Sequence, residues 1–238
     1  YGGEGIDKGE GLALDNEGGI YLGGSTEISS FNIATAGSHQ QVKGSVNDAF
    51  LVKFNTNGVR QWGTYYGGNS VEYGFGVVAG TKNDVYLTGL TESTNNIATI
   101  SGYQTGIAGL FDAYLVKFDS DGIRKWGTYF GGSASDEIRS VSIDSESNLY
   151  IAGNTESVDS VATTGSHQPV YGGGINDAFL AKFCNPPSPQ IILTDSTGFC
   201  LGEDVFLQTD TGFSVYEWSD GQNTPNIYVS HQLPGDYY

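Results

Sequence analysis

The stretch DAFLVKFNTNGVRQWGTYYGG, Asp48–Gly68, recurs as DAYLVKFDSDGIRKWGTYFGG, Asp112–Gly132, and once more as DAFLAKF, Asp177–Phe183, where it breaks off. AFLVKF and RQWGTYY are rich in aromatic and β-branched residues and are bounded by Gly, Asn and Asp, which marks two strands joined by a tight turn. Outward from this phrase lies a second: GIYLGGSTE from Gly19, DVYLTGLTE from Asp84 and NLYIAGNTE from Asn148. A third, less regular, reads NIATAGSHQ from Asn32, NIATISGYQ from Asn96 and SVATTGSHQ from Ser160. The period is 64 or 65 residues, and both one-residue length changes fall between the second phrase and the Asp-Ala phrase. Length variation marks loops, so residues 28–47, 93–111 and 157–176 are expected to be exposed connections.

The first repeat reads as four strands: a at about 10–15, b at about 19–26, c at about 48–54 and d at about 59–66. The links DNEG (15–18) and NTNG (55–58) suit a type I turn followed by a left-handed residue. Strand c is apolar on both faces apart from Lys53, Lys117 and Lys182, so each sheet must be covered on both sides. Stacking successive four-stranded sheets does this, and stacking them radially makes a β-propeller. A linear β-solenoid is the rival arrangement, although its coils are usually shorter. The third repeat runs into CNPPSPQ after Phe183 and lacks strand d, whereas the chain opens on YGG, the residues that follow strand d elsewhere. A strand preceding Tyr1 is therefore expected to complete the last sheet and lock a ring of more than three. Without it the repeats form an open arc with apolar faces exposed or covered by a partner.

The repeated motifs DAFLVKF-x-x-x-G-x-x-x-WGTYYGG and (G/N)-x-Y-x-x-G-x-T-E resemble the SBBP-type β-propeller repeats of bacterial secreted and surface proteins, above all the versions in large exported proteins of Bacteroidetes-type bacteria. The resemblance covers about residues 1–183 and implies one propeller blade per repeat and an extracellular setting. It implies no defined activity. The expected fold is all-β: a partial propeller with blades at about 1–65, 66–129 and 130–183, the last lacking its outer strand. A Pro-rich linker (184–189) leads to a small module at 190–238. There QIILTD (190–195), DVFLQTD (204–210), SVYEWSD (214–220) and NIYVS (226–230) pattern as sandwich strands, with Trp218 as the core aromatic. FCLGEDVFL…YEWSDGQNTPNIYVS…GDYY resembles an Ig-like or PKD-like module that stops before its usual final strands.

Composition narrows the partners. The 238 residues carry 27 acids against 10 Lys and Arg, a net charge of −17. With no basic cluster, nucleic acid is excluded as a partner, since phosphate binding needs Lys or Arg on one face. Anionic membrane surfaces are disfavoured for the same reason. No apolar run approaches the roughly 18 residues of a membrane span, so membrane insertion is not expected. The 36 Gly, 6 Pro and absence of any G-X-Y period exclude collagen, and 38% hydrophobic residues argue against disorder. Zero Met and a first residue of Tyr1 suggest a processed product or a piece of a longer protein.

Residues that could carry chemistry are few. Asp119-Ser120-Asp121-Gly122 is the only Ca²⁺ candidate, because alternating carboxylates can wrap a hard cation. The counterpart Asn55-Thr56-Asn57-Gly58 has lost both charges, so a hairpin turn explains both versions, and no cofactor is expected. His39 and His167 share a repeat position with Tyr103, which favours a stacked or hydrogen-bonded ring over a ligand; His231 is isolated. Glu27, Glu92 and Glu156 end strand b, and Asp48, Asp112 and Asp177 begin strand c. Recurrence in every blade points to a structural task such as holding backbone N–H groups. Trp62 and Trp126 recur on strand d and are expected to pack between blades. Cys184 and Cys200 could pair with each other, contributing about 3 kcal/mol in the chain-entropy model; alternatively Cys200 pairs with a cysteine beyond Tyr238. Two cysteines without His neighbours fall short of a metal site.

These readings lead to a non-enzymatic secreted or cell-surface scaffold or binding protein, serving adhesion or extracellular ligand binding through the b–c loops. The ligand would be a glycan or a protein, and further domains of the same parent chain are expected. The alternative is an accessory region of a larger secreted polysaccharide-acting enzyme.

Overall fold

The computed structural model describes residues 2–3, 5–27, 33–81 and 84–184, and the backbone of 191–193, 205–209 and 226–229. Two compact units divide at Asn185/Pro186. The first holds three antiparallel sheets. One runs β1 (Asp7–Leu14), β2 (Ile20–Glu27), β3 (Asn47–Phe54) and β4 (Arg60–Tyr66), adjacent in that order. The next runs β5 (Glu72–Ala79), β6 (Val85–Thr91), β7 (Asp112–Phe118) and β8 (Arg124–Phe130). The last has three strands, β9 (Asp136–Ile143), β10 (Leu149–Thr155) and β11 (Asp177–Phe183). Sheets of four, four and three strands are consistent with propeller blades. Among the described residues the third sheet has no fourth strand, at the place where the third repeat departs from the pattern. In the second unit, β12 (Ile191–Leu193), β13 (Val205–Thr209) and β14 (Asn226–Val229) form one antiparallel sheet in that order. Trp218 and residues 214–220 lie outside the described residues.

The sheets stack face to face, as strands with two apolar faces require. Tyr21, Leu51, Trp62 and Tyr66 of the first sheet share a core with Val77, Leu87, Tyr114 and Val116 of the second. Tyr86, Leu115 and Phe130 of the second join Ile138, Leu149 and Ile151 of the third. A fully buried side chain of this size contributes about 1.5–3 kcal/mol, so these interfaces dominate the stability of the unit. The inner strands β1, β5 and β9 pack on one another in succession. Each inner strand carries a register shift: between Gly9 and Gly11 in β1, between Gly74 and Val77 in β5, and opposite Ala152/Gly153 in β9.

The short hairpins share one device. Asp15, Asn55, Asp119 and Asp144 each accept hydrogen bonds from the backbone N–H groups two and four residues on. The fourth residue takes positive φ: Gly18, Gly58, Gly122 and Ser147. The lysines that interrupt strand c lie over tyrosine rings. Lys53 sits over Tyr21 and 3.1 Å from Asp15, and Lys117 sits over Tyr86 and 2.8 Å from Asp84. Lys182 lies over Tyr150.

The b–c connections divide, against the expectation that they simply project. In the first two repeats their first halves fold back along the outer edge of strand d. Thr35 N donates to Gly63 O (2.9 Å) and Tyr65 N donates to Gln40 O (3.1 Å). Thr99 N and Gly127 O, and Tyr129 N and Gln104 O, repeat both bonds in the second sheet. Ile33 and Ile97 are buried there. A bare outer strand would offer its unpaired backbone to other chains, and the loop covers it. The second halves, at 41–46, 105–110 and 169–176, are mostly exposed.

Candidate functional site: a carboxylate rim

The start of each strand c brings together two recurrent residues, an aspartate and a glutamine. Asp48 accepts from Gly44 N (2.8 Å), Ser45 N (3.1 Å) and Gln40 Nε2 (3.1 Å). Asp112 accepts from Ala108 N (2.9 Å), Gly109 N (2.9 Å) and Gln104 Nε2 (2.7 Å). Asp177 accepts from Gln168 Nε2 and Gly172 N. The glutamine also reaches the next connection: Gln40 Oε1 accepts from Gly67 N and Gln104 Oε1 from Gly131 N. The aspartate thus nucleates the loop turn, and the glutamine ties that turn to the end of strand d.

A second acidic row starts each strand a. Asp7, Glu72 and Asp136 each accept from the second glycine of the preceding YGG or FGG: Gly3, Gly68 and Gly132. Asp7 and Glu72 also accept from the Thr26 and Thr91 hydroxyls at 2.6 Å. The two rows meet at the first glycine. A Cβ on Gly67 would lie 2.3 Å from Glu72 Oε2 and 2.9 Å from Asp48 Cγ; one on Gly131 would meet Asp136 and Asp112 in the same way. This explains why the motif needs glycine there: two carboxylates close around the backbone.

Burial pushes Glu72 up to about 7, against hydrogen bonds from Ser93, Thr91 and Gly68 that favour its charged form; the Asp48 charge adds to the rise. Asp48 and Asp112 are raised as well, again chiefly by burial. A carboxyl group raised in the folded state binds its proton more tightly there than in the unfolded chain. Its contribution therefore favours folding at low pH and declines as pH rises from the ordinary carboxylate range through 7. For Glu72 the decline between pH 5 and 8 is on the order of 2–3 kcal/mol. Glu72→Gln keeps an acceptor for Gly68 N and removes the charge. Urea denaturation at the two pH values should show the variant losing roughly 2–3 kcal/mol less than the parent over this interval; equal losses would contradict the assignment.

The other sequence candidates fall as follows. Asp119 Oδ1 caps the β7–β8 turn, and its Oδ2 pairs with Lys125 Nζ at 2.8 Å; Asp121 contributes its backbone N–H to the same cap. Among the described residues no group of three or more His, Cys, Asp or Glu side chains could hold a metal ion. His39 packs on Tyr66 and Phe118, and Tyr103 packs on the equivalent Phe130 and Phe183. Burial, helped by the Arg124 charge, pulls His39 down to about 4, so it is a neutral ring at physiological pH. His167, in the third repeat, is exposed. Trp62 packs between sheets: its Nε1 donates to Ser120 O at 2.7 Å, and Gly122 lies against its ring. Trp126 is half-buried beside Tyr86. Glu92 accepts from Ser70 Oγ at 2.6 Å, while Glu156 lines a cavity of about 160 Å³ with Asp136, Asn154 and Asn176. Cys184 is exposed; Cys200, Glu27's neighbours 28–32 and His231 lie outside the described residues.

Sequence reasoning missed the glutamines and the Asp7/Glu72/Asp136 row. The signal was present in the invariant final Gln of SHQ, GYQ and SHQ, overshadowed by the histidine beside it. The inner-strand acids alternate between Asp and Glu, which hid them from phrase matching.

Residues 125–158 match the SBBP family, described as a beta-propeller repeat. The match spans the end of one repeat and the first half of the next, from strand β8 to the end of β10. The chain therefore carries an SBBP repeat within an all-β repeat unit. No curated protein matches the chain.

Proposed function

We propose that this chain is the scaffold and binding region of an exported bacterial surface protein. Its propeller blades hold a row of loops toward an extracellular glycan or protein ligand, and its second unit is an Ig-like spacer. One observation carries the binding role. The residue two positions before the strand c aspartate is apolar and exposed in all three repeats: Val46 at 59%, Leu110 at 74% and Ile175 at 85%. Each sits beside an aspartate that anchors the loop, fully buried in the first two repeats and half-buried at Asp177, so the apolar side chain is held outward on a braced backbone. An exposed apolar row repeated at one rim has no packing task in the unit and suits contact with a partner. The structural occupation of the recurrent acids supports a binding rather than a chemical role for this rim, and the acidic excess suits solubility outside the cell.

The test displays the full chain on a non-adherent bacterium and measures retention on an extracellular polysaccharide matrix and on immobilised matrix proteins. The parent chain is expected to adhere to one of them, and the triple variant V46S/L110S/I175S to lose most of that retention at unchanged melting temperature. Adhesion equal in parent and variant, or none in either, defeats the reading.

A further inference from the structure

In the first two sheets strand d is gripped on both edges. On one side it pairs with strand c, Leu51 opposite Thr64 and Leu115 opposite Thr128. On the other it meets the folded-back loop. Thr35 N donates to Gly63 O and Thr35 Oγ1 accepts from Gly63 N; Gln40 N donates to Thr64 Oγ1, and Gln40 O and Oε1 accept from Tyr65 N and Gly67 N. The second sheet repeats this set with Thr99, Gln104, Gly127, Thr128, Tyr129 and Gly131.

The third sheet retains the grip without the strand. Its loop keeps the same turn: Ser166 N donates to Thr163 O, as Ser38 N does to Thr35 O and Gly102 N to Thr99 O. Ser160 has φ 62°, matching Asn96, and Gly165 has φ 84°, matching Gly37 at 82°. Gln168 Nε2 still reaches Asp177, so the glutamine stands where its counterparts accept from the incoming glycine. Among the described residues β11 is an edge strand, paired with β10 alone. Thr163 and Gln168 therefore stand, beside the outer edge of β11, at the repeat positions that hold strand d in the first two sheets.

We propose that this edge is a strand-acceptor site for an extended peptide of the form W-G-T-Y-(Y/F)-G-G, which adds as a fourth strand antiparallel to β11. The first two sheets define the specificity. The glycine after Trp is required because a Cβ at Gly127 would lie 2.4 Å from Ile97 O and 2.8 Å from Tyr66 Oη, leaving no side-chain space between strand and loop. Threonine supplies the hydroxyl that meets the glutamine N–H, and the terminal glycine pair fits beside the strand c aspartate. Backbone pairing supplies affinity and the side-chain positions supply selectivity, as in other sheets completed by a peptide.

The probe is the labelled peptide RKWGTYFGG, a copy of Arg124–Gly132, titrated with the full chain and followed by fluorescence anisotropy. Saturable binding at one site per chain is expected. Replacing the peptide's first glycine by valine keeps its charge and should weaken binding by at least about tenfold. In the protein, Thr163→Val and Gln168→Ala should each weaken it several-fold, with melting temperatures close to the parent's showing that these variants fold. Absence of saturable binding overturns the proposal. Equal binding of the valine peptide, or binding indifferent to both protein variants, overturns it too, because it would be attraction of a basic peptide to an acidic chain.

Discussion

Gly89→Ala is expected to destabilise the first unit by roughly 4 kcal/mol, enough to remove most of the stability of an ordinary domain. A Cβ at this position would lie 1.8 Å from Tyr73 O and 2.9 Å from the Tyr114 ring. The first clash is with backbone, so no rotamer relieves it. Tyr73 precedes the bulge of β5, where the extra residue turns a carbonyl toward β6. The same contact recurs between Gly24 and Lys8 O and between Gly153 and Glu137 O, each 1.8 Å from the added Cβ. The glycine of Y-x-x-G-x-T is thus the partner of the inner-strand bulge, which sets the twist that lets three sheets stack. Denaturant unfolding followed by far-UV circular dichroism measures the loss; a change below about 1 kcal/mol would mean that the bulge relaxes freely.

Leu115→Ala and Leu180→Ala make the second test, since they apply one substitution to one repeat position in two environments. Leu115 is fully buried between the second and third sheets, and Leu180 is 75% exposed on β11. Truncating a buried leucine removes its transfer free energy and leaves a cavity, for a total of about 3–4 kcal/mol. Truncating the exposed one should cost less than about 0.5 kcal/mol. Thermal or urea melts of both variants decide the matter. Comparable losses would mean that the outer face of the third sheet is covered in solution and that the stacking order extends past it.

Much of this fold was legible in the sequence because stacked sheets repeat their demands. Strand c was read at 48–54 and spans Asn47–Phe54; strand d was read at 59–66 and spans Arg60–Tyr66. Strand c is apolar on two faces and strand d is buried from Trp62 to Tyr66, so packing and pattern agree. Strand a was placed at about 10–15 but begins at Asp7, because its first residues, DKGEG, are polar and glycine-rich. Tertiary pairing with Thr26, Ser25 and Gly24 recruits them against local propensity. The turns were readable from Asp, Asn and Gly alone. The folded-back loops were not, since their bonds to strand d, through backbone and side chains alike, join residues 24 to 28 apart with no periodicity to announce them. The rim showed the same division. The strand c aspartates stood out by recurrence, whereas Gln40 and Glu72 acquire their meaning only when three segments from two repeats meet at Gly67.

The hydrogen bonds that cross between sheets bear on how the unit opens. Trp62 reaches Ser120 across 58 residues and Tyr66 reaches Ile97 across 31, so the outer strand of one repeat is fastened to the turn and loop of the next. Nearest-neighbour fastening of this kind makes the cooperative element a pair of adjacent repeats rather than one. Amide exchange should then slow toward β7 and β8, which are held from both sides, and run fastest in β11, whose outer edge has no partner among the described residues. Such a gradient would make the third repeat the place where local opening begins, while the doubly fastened middle repeat exchanges only through global unfolding.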